Sequence, residues 1–216
     1  MKIGIIGGTG KEGRGLALRW ASKGHRVTIA SRDAERGAAV AAELTALAGV
    51  VIEGGGFDAA LGDTDVILVA VPYAGQADTY RQLVGRIGDR VVIDITVPLA
   101  PPRVTRVTLP PGQSAGLEAR AILGDEGRLV ATLHHISSAH LADLEHAIDG
   151  DILACGDDKA AMDLVLSLLT DLGARAIDAG PLANSVALES LTPVLLYLNR
   201  RYKAAGAGIR LTGLPD

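Results

Sequence analysis

Seven residues near the start, Gly7-Gly8-Thr9-Gly10-Lys11-Glu12-Gly13, constrain this chain more than any other stretch. They follow Lys2-Ile3-Gly4-Ile5-Ile6, an apolar run that reads as a buried strand. They lead into Arg14 to Ala21, which reads as a helix. Gly8, Gly10 and Gly13 match the G-x-G-x-x-G spacing in the strand–turn–helix context that gives the pattern its meaning. One glycine permits the tight turn, one lets the backbone approach a pyrophosphate, and one lets the helix pack closely on the sheet. The unsatisfied N–H groups and the positive end of the helix then face the phosphates. The stretch predicts a dinucleotide-binding fold.

The chain beyond the loop has the matching rhythm. Strands are expected at Arg26 to Ala30, Val50 to Glu53, Asp65 to Val71, Arg90 to Ile95 and Arg128 to Leu133. Helices are expected between them, from Asp33 to Ala48, with Asp33 as N-cap, and from Gln76 to Ile87. Alternation of this kind predicts an α/β protein, a Rossmann-like, doubly wound parallel sheet. Prolines at 98, 101, 102, 110 and 111 forbid a continuous helix over 98–112 and predict an ordered loop above the carboxyl edge of the sheet. Past residue 133 the pattern changes. Short strands at Asp151 to Cys155 and Arg175 to Ile177 flank a helix from Asp158 to Leu172, and a long helix from Ala183 to Lys203 ends the chain. The expected organisation is therefore a nucleotide domain over 1–133 and a small C-terminal α/β lobe over 134–216. In the last helix Val186, Leu188, Leu191, Val194, Leu195 and Leu198 recur at threes and fours, a broad apolar face for the first domain or for a second copy in a homodimer.

Composition removes several classes of function. A net charge of −4 offers no general attraction to nucleic acid or anionic membrane, and 3% aromatic residues leave few platforms for stacked bases. The apolar runs are too short to span a bilayer. The single cysteine, Cys155, excludes an internal disulfide framework, and the first strand begins at Lys2, leaving no room for a signal peptide. The expected location is the cytoplasm.

The end of the second strand reports on the nucleotide. NAD-preferring folds place a carboxylate there for the ribose 2′-hydroxyl, whereas this chain reads Ala30-Ser31-Arg32. Arg32 and Arg36, four apart, supply the forked donors and charge that a 2′-phosphate needs, and Ser31 adds a hydroxyl. Asp33 could instead hold the ribose, but it lies two positions late and is better placed as a helix cap. NADP is favoured over NAD. The tips of the fourth and fifth strands, Val71-Pro72-Tyr73 and Thr96-Val97-Pro98, should flank the nicotinamide, since ligands lie beyond the carboxyl ends of parallel strands. Tyr73 is either a wall of that pocket or a rim aromatic.

After the sixth strand comes His134-His135-Ile136-Ser137-Ser138. Adjacent side chains on an extended chain point to opposite sides, so the two histidines would not share a metal ion. His140, His146 and Cys155 match no ligand spacing, and no metal is expected. Either His134 or His135 could bind substrate, donate a proton or satisfy a buried backbone group. No lysine or serine motif marks a nucleophile or general acid. If the protein is a redox enzyme, its chemistry would lie in bound cofactors that the chain orients and keeps dry.

These residues resemble those of the NADPH-dependent reductases of coenzyme F420, a 5-deazaflavin. The resemblance runs through Gly7 to Gly10, Gly13, Gly15-Leu16-Ala17, Ser31-Arg32, Val71-Pro72, His134, Cys155 to Asp158, Asp178 to Leu182, Asn184-Ser185, Glu189 to Thr192, Asn199 to Lys203 and Gly208 to Arg210. The C-terminal runs are its more specific part. The chain departs from some archaeal members in Val186, where they carry arginine, and from others in Ser137, where they carry proline. The resemblance implies hydride transfer between NADP(H) and F420, with both rings in one cleft between the nucleotide domain and the C-terminal lobe. It implies that Thr9, Gly10, Lys11, Glu12, Ser31, Arg32 and Arg36 hold NADP and that Ser138 reaches the nicotinamide. It further implies that Val97, Pro98, His134, His135 and Ile136 border the deazaflavin, with no catalytic side chain required. An ordinary flavin as acceptor, or a non-catalytic NADP(H) sensor, are the alternatives.

Overall fold

The glycine loop joins β1 (Lys2–Ile6) to α1 (Lys11–Ser22), and six further strands extend the sheet that β1 and its neighbour β2 begin. The computed structural model describes residues 1–124 and 127–214, so the last two positions of the expected C-terminal lobe lie outside the described residues. In order come β2 (Arg26–Ala30), α2 (Ala34–Ala48), β3 (Ile52–Gly55), α3 (Phe57–Leu61), β4 (Val66–Val69), α4 (Tyr73–Leu83) and β5 (Val91–Asp94). Then come α5 (Ala115–Leu123), β6 (Leu129–Thr132), α6 (Ser138–Ala142), β7 (Asp151–Gly156), α7 (Lys159–Thr170) and β8 (Arg175–Asp178). A single 3-10 turn, Leu182–Asn184, leads into α8 (Ser185–Tyr202).

The strands form one sheet in the order β3-β2-β1-β4-β5-β6-β7-β8. All neighbours are parallel except β7, which runs antiparallel to β6. Winding proceeds outward from β1 to β3, then returns to β4 on the other side of β1. That reversal opens the crevice where ligands of such sheets bind. β4 and β5 are buried at every position, because helices cover both faces of the sheet, and this is why they read as unbroken apolar runs.

The strands of the C-terminal segment join the same sheet as the rest. Trp20 of α1 is fully buried, and its indole N–H donates to Leu168 O of α7 at 2.9 Å. Ile3, Ile29 and Leu68 share one apolar cluster with Ile152, Met162, Val165 and Leu168. Truncating an aromatic at such a position costs about 3–5 kcal/mol. Arg19, one residue before Trp20, is buried and donates to the carbonyls of Leu141 (3.0 Å), His140 (2.6 Å), Asp143 (2.6 Å) and His146 (2.7 Å). It thereby pins α6 and the loop after it against α1.

Several boundaries differ from the sequence reading. β3 begins two residues later than expected and runs through Gly54 and Gly55. A Cβ on Gly54 would meet the Gly37 carbonyl and Ala41 Cβ, so these glycines permit close packing of α2 rather than ending the strand. α4 begins at Tyr73, three residues early, because Pro72 supplies the N-cap position and the φ that starts a helix. Tyr73 is thus a helix residue rather than a strand tip. Helices α3, α5 and α6 had no periodic signature; two of them are five residues long.

Candidate functional site

The glycine loop is held by the backbone. The N–H groups of Gly7 and Gly8 donate to Ala30 O at 3.0 and 3.2 Å, and Gly7 has a φ of 80° that favours glycine. A Cβ on Gly8 would lie 2.6 Å from Ile29 Cβ, and one on Gly13 would lie 2.6 Å from Gly8 Cα. Gly10 differs. A Cβ there would meet only Gly7 O, at 3.4 Å, so nothing within the chain demands glycine at that position. Gly10 is also the N-cap of α1 and caps it with no side chain, leaving the first-turn N–H groups without a side-chain acceptor.

At the tip of β2 the Asp33 carboxylate is committed to capping α2, accepting from Glu35 N at 3.0 Å and Arg36 N at 3.2 Å. Ser31 Oγ accepts from Asp33 N. Arg32 and Arg36 are exposed, and neither forms an ion pair among the described residues. Because α2 starts at Ala34, Arg32 precedes the helix, and the four-residue spacing does not put the two arginines on one helix face.

Beside the loop lies a cleft of about 510 Å³. Gly10, Lys11 and Glu12 form one end. Val71 and Pro72 follow β4, Tyr73 opens α4, and Ile95, Thr96, Val97 and Leu99 follow β5. Leu133 to Ser138 lie past β6, and Thr192, Leu195, Leu196 and Asn199 come from α8, with Ala207 beyond it. The structure therefore brings Gly10, Lys11, Glu12, Val71, Pro72, Tyr73, Val97, His134, His135, Ile136 and Ser138 into one space. Gly8, Thr9, Gly13, Ser31, Arg32 and Arg36 are not part of this lining; Gly8 and Thr9 stand in the loop, Gly13 in α1, Ser31 and Arg32 just past β2, and Arg36 in α2. Pro98 is also outside it. Val97 borders both spaces, but Pro98 faces a smaller adjoining pocket with Val107, Leu109, Val186 and Glu189.

Polar groups hold the cleft walls. Asp94, fully buried at the end of β5, accepts from Tyr80 Oη (2.6 Å), Gln76 Nε2 (2.9 Å) and Thr96 N (2.8 Å). Burial pushes its carboxyl pKa up, and these donors pull it back. Tyr73 donates its hydroxyl to Glu118 at 2.7 Å; burial and that carboxylate push the phenol up to about 12, so it stays a donor.

Leu133 has a φ of 64°, uncommon for a branched residue, and turns the chain as it leaves β6. His134 and His135 consequently sit in a turn, not on the extended chain expected for them. They still diverge in role. His135 Nε2 lies 3.0 Å from Asp151 O and 3.2 Å from Leu153 N, bound to the β7 backbone. His134 is 4% exposed and lines the cleft, and neither ring nitrogen has a partner among the described residues. Burial, with His135 nearby, lowers its pKa to about 3, so the ring is neutral. Its backbone carbonyl accepts from the Thr192 hydroxyl of α8.

Sequence reasoning assigned no site role to Thr192, Leu195, Leu196 or Asn199, whereas Thr96, expected at the nicotinamide, does line the cleft. A signal existed in α8, where Thr192 and Asn199 stand two turns apart on the face that carries Leu195. The apolar periodicity of that helix was read as packing alone.

Fold and cleft together define a doubly wound α/β protein of the dinucleotide-binding class, with an open cleft beside the glycine loop. Comparison with known proteins sharpens this. Residues 2–98 match the family model described as NADP oxidoreductase, coenzyme F420-dependent. An F420-dependent NADP reductase of Methanothermobacter thermautotrophicus is 36% identical over 100% of this chain and 97% of its own. That of Methanocaldococcus jannaschii is 38% identical over 99% of both chains. An Arthrobacter crystal structure described as a candidate F420-dependent NADP reductase superposes with a TM-score of 0.82 at 26% identity, covering 99% of this chain and 100% of the other. The chain belongs to the F420-dependent NADP oxidoreductase family.

Proposed function

We propose that this protein transfers hydride between NADP(H) and coenzyme F420, binding both in the cleft beside the glycine loop. The observation that carries the reading is the continuity of that cleft. One end is the uncapped start of α1, and its walls are the tips of β4, β5 and β6 faced by α8. Full-length similarity to F420-dependent NADP reductases supports the pairing of substrates.

The residues present fit both molecules. Gly10 meets no internal demand for glycine, which suits close approach of a pyrophosphate to the N–H groups of Lys11, Glu12 and Gly13. Arg32 and Arg36, free of ion pairs among the described residues, with Ser31 beside them, suit a 2′-phosphate. Val71, Pro72, Tyr73 and Ser138 form the nicotinamide side, and Val97, His134, His135 and Ile136 the acceptor side, with Pro98 just beyond it. Reduced nicotinamide would supply a hydride to C5 of the deazaflavin, whose N1 would take one proton from solvent or a nearby backbone donor. Ile95, Val97, Leu133 and Leu195 keep the space between the rings dry. Neutral His134 keeps one N–H and one bare nitrogen available, and a buried imidazole without partners is costly unless a ligand satisfies it.

Residues from 134 onward act in this reading as the lobe that closes the acceptor side, and the protein works in the cytoplasm as a homodimer. Val194 and Tyr197 of α8, 43% and 52% exposed, offer the second copy an apolar face.

The test mixes purified protein and NADPH with F420, FMN, FAD or no acceptor and follows NADPH oxidation. Turnover with F420 is expected, from a species whose light-scattering mass is that of a dimer. Tight NADPH binding without turnover on any acceptor would refute the enzyme reading. Turnover with FMN but not F420 would replace the acceptor.

A further inference from the structure

We propose that Glu189 is a positioning residue for the acceptor side of the cleft, tying α8 to the start of α5 and so setting the distance between the Val97–Leu99 wall and the Thr192–Leu195 wall. This rests on the two-substrate reading above.

Glu189 is 2% exposed; burial pushes its carboxyl up to about 8 while the Gly116 and Ala115 N–H groups pull it back, and a buried carboxyl is costly unless it is fully bonded. Its two oxygens are both used. One accepts from Ala115 N at 2.7 Å and the other from Gly116 N at 2.9 Å, the first-turn donors at the positive end of α5. One turn earlier on α8, Ser185 Oγ lies 2.6 Å from Ser114 Oγ, and Ser114 is itself the N-cap of α5, accepting from Leu117 N at 3.0 Å. Gly116 has little room for a side chain, since a Cβ would stand 3.3 Å from Ser185 Oγ and 3.5 Å from Glu189 Oε1. Two helices distant in sequence thus interlock through an acid and two serines.

The reason this matters for the cleft lies in the proline-rich segment that ends at Ser114. Its backbone hydrogen bonds among the described residues are local, such as Leu99 N to Val97 O, Arg103 N to Ala100 O and Gln113 N to Pro110 O. They give the segment a shape but not a location. Location comes from its ends, Thr96 bonded to Asp94 and Ser114 held against α8, and from contacts along it: Gly112 N donates to Glu118 at 3.0 Å, and Pro98, Val107 and Leu109 line the small pocket with Val186, Glu189 and Pro193 of α8. Val97 and Leu99, at the first end, line the cleft. One turn beyond Glu189, the Thr192 hydroxyl holds the His134 carbonyl. α8 therefore carries ties to the loop after β5 and to the loop after β6, the two loops that face an acceptor ring. Neither tie reaches the glycine loop or the β2 tip.

The experiment compares Glu189→Gln and Ser185→Ala with the native protein. Glutamine presents an amide N–H₂ where one backbone N–H needs an acceptor, so only one of the two bonds survives. The expected result for Glu189→Gln is an acceptor KM raised about tenfold, with NADPH affinity changed less than about twofold. Ser185→Ala should raise the acceptor KM by a smaller factor in the same direction, and it decides the matter if Glu189→Gln does not fold. In the ligand-free protein, amide exchange at Ala115, Gly116 and Leu99 should quicken in both variants, while exchange at Gly8 and Gly13 stays unchanged. An unaltered acceptor KM, or equal loss of acceptor and NADPH binding, would overturn the proposal. If the native protein turns over FMN but not F420, KM is read with FMN. If it turns over nothing, the two-substrate reading fails, and unchanged exchange at Ala115 and Gly116 would separately dismiss the tie.

Discussion

Replacing Arg32 by alanine tests the nucleotide assignment at its most exposed point. The side chain forms no ion pair among the described residues and stands outside both apolar clusters, so its removal should leave stability within about 0.5 kcal/mol. The Asp33 cap that starts α2 uses backbone donors only and is unaffected. A charge-assisted hydrogen bond to a 2′-phosphate contributes about 1.5–3 kcal/mol. Because Arg32 is solvated, the lower end applies, and each 1.4 kcal/mol is about tenfold in affinity. NADPH should therefore bind about tenfold more weakly to Arg32→Ala, and NADH, which lacks the phosphate, should change less than about twofold. Fluorescence titration of both nucleotides at two salt concentrations measures this, and the NADPH deficit should shrink at high salt as the native interaction is screened. Equal weakening of NADPH and NADH would mean that Arg32 does not touch a 2′-phosphate, and the preference for NADP would have to come from elsewhere.

Two other perturbations separate structure from binding. Gly8→Ala drives a methyl to 2.6 Å from Ile29 Cβ, with the backbone pinned to Ile5 O and Ala30 O. It should cost about 1–3 kcal/mol in thermal or urea unfolding. Gly10→Ala should leave stability within about 1 kcal/mol and instead weaken NADPH tenfold or more, about the value of one lost phosphate contact; similar melting losses in both variants would contradict that division. The second perturbation is acid. His134 is a base whose pKa burial lowers from 6.5 to about 3. The unfolded chain takes up a proton below 6.5 that the folded chain refuses. The stability from this group is thus complete above pH 6.5 and is lost as pH falls toward 3. Melting curves from pH 8 to 4 should fall more steeply for the native protein than for His134→Phe; parallel slopes would mean the imidazole is not held neutral.

Much of this was readable in order along the chain. The glycine spacing, the absence of a carboxylate after Ala30 and the Asp33 cap are local facts. A turn, a cap and a strand end each depend on a few adjacent residues and on backbone sterics that act over one or two peptide units. Tyr73 shows where local reading stops. It was expected on a strand tip and opens α4 instead, with its hydroxyl on Glu118, because Pro72 favours a helix start and a partner 45 residues away accepts the hydrogen bond. The turn of His134 and His135 was equally hidden, since it arises from the left-handed backbone of Leu133, which nothing in the residue type announces.

The sequence by itself determined the class of fold, the place of the glycine loop and the Asp33 cap and, through resemblance, the family. Repeating strand–helix units and a glycine loop leave a chain few other ways to bury its apolar faces. Tertiary structure alone decided the far walls of the cleft. It joined β7 and β8 to the main sheet, set α8 across the loops after β5 and β6, and left His134 buried without partners while binding His135 to β7. Those outcomes depend on which surfaces meet across tens of residues of chain. The cost of burying a polar group such as Glu189 or His134 is settled only by what lies within hydrogen-bond reach.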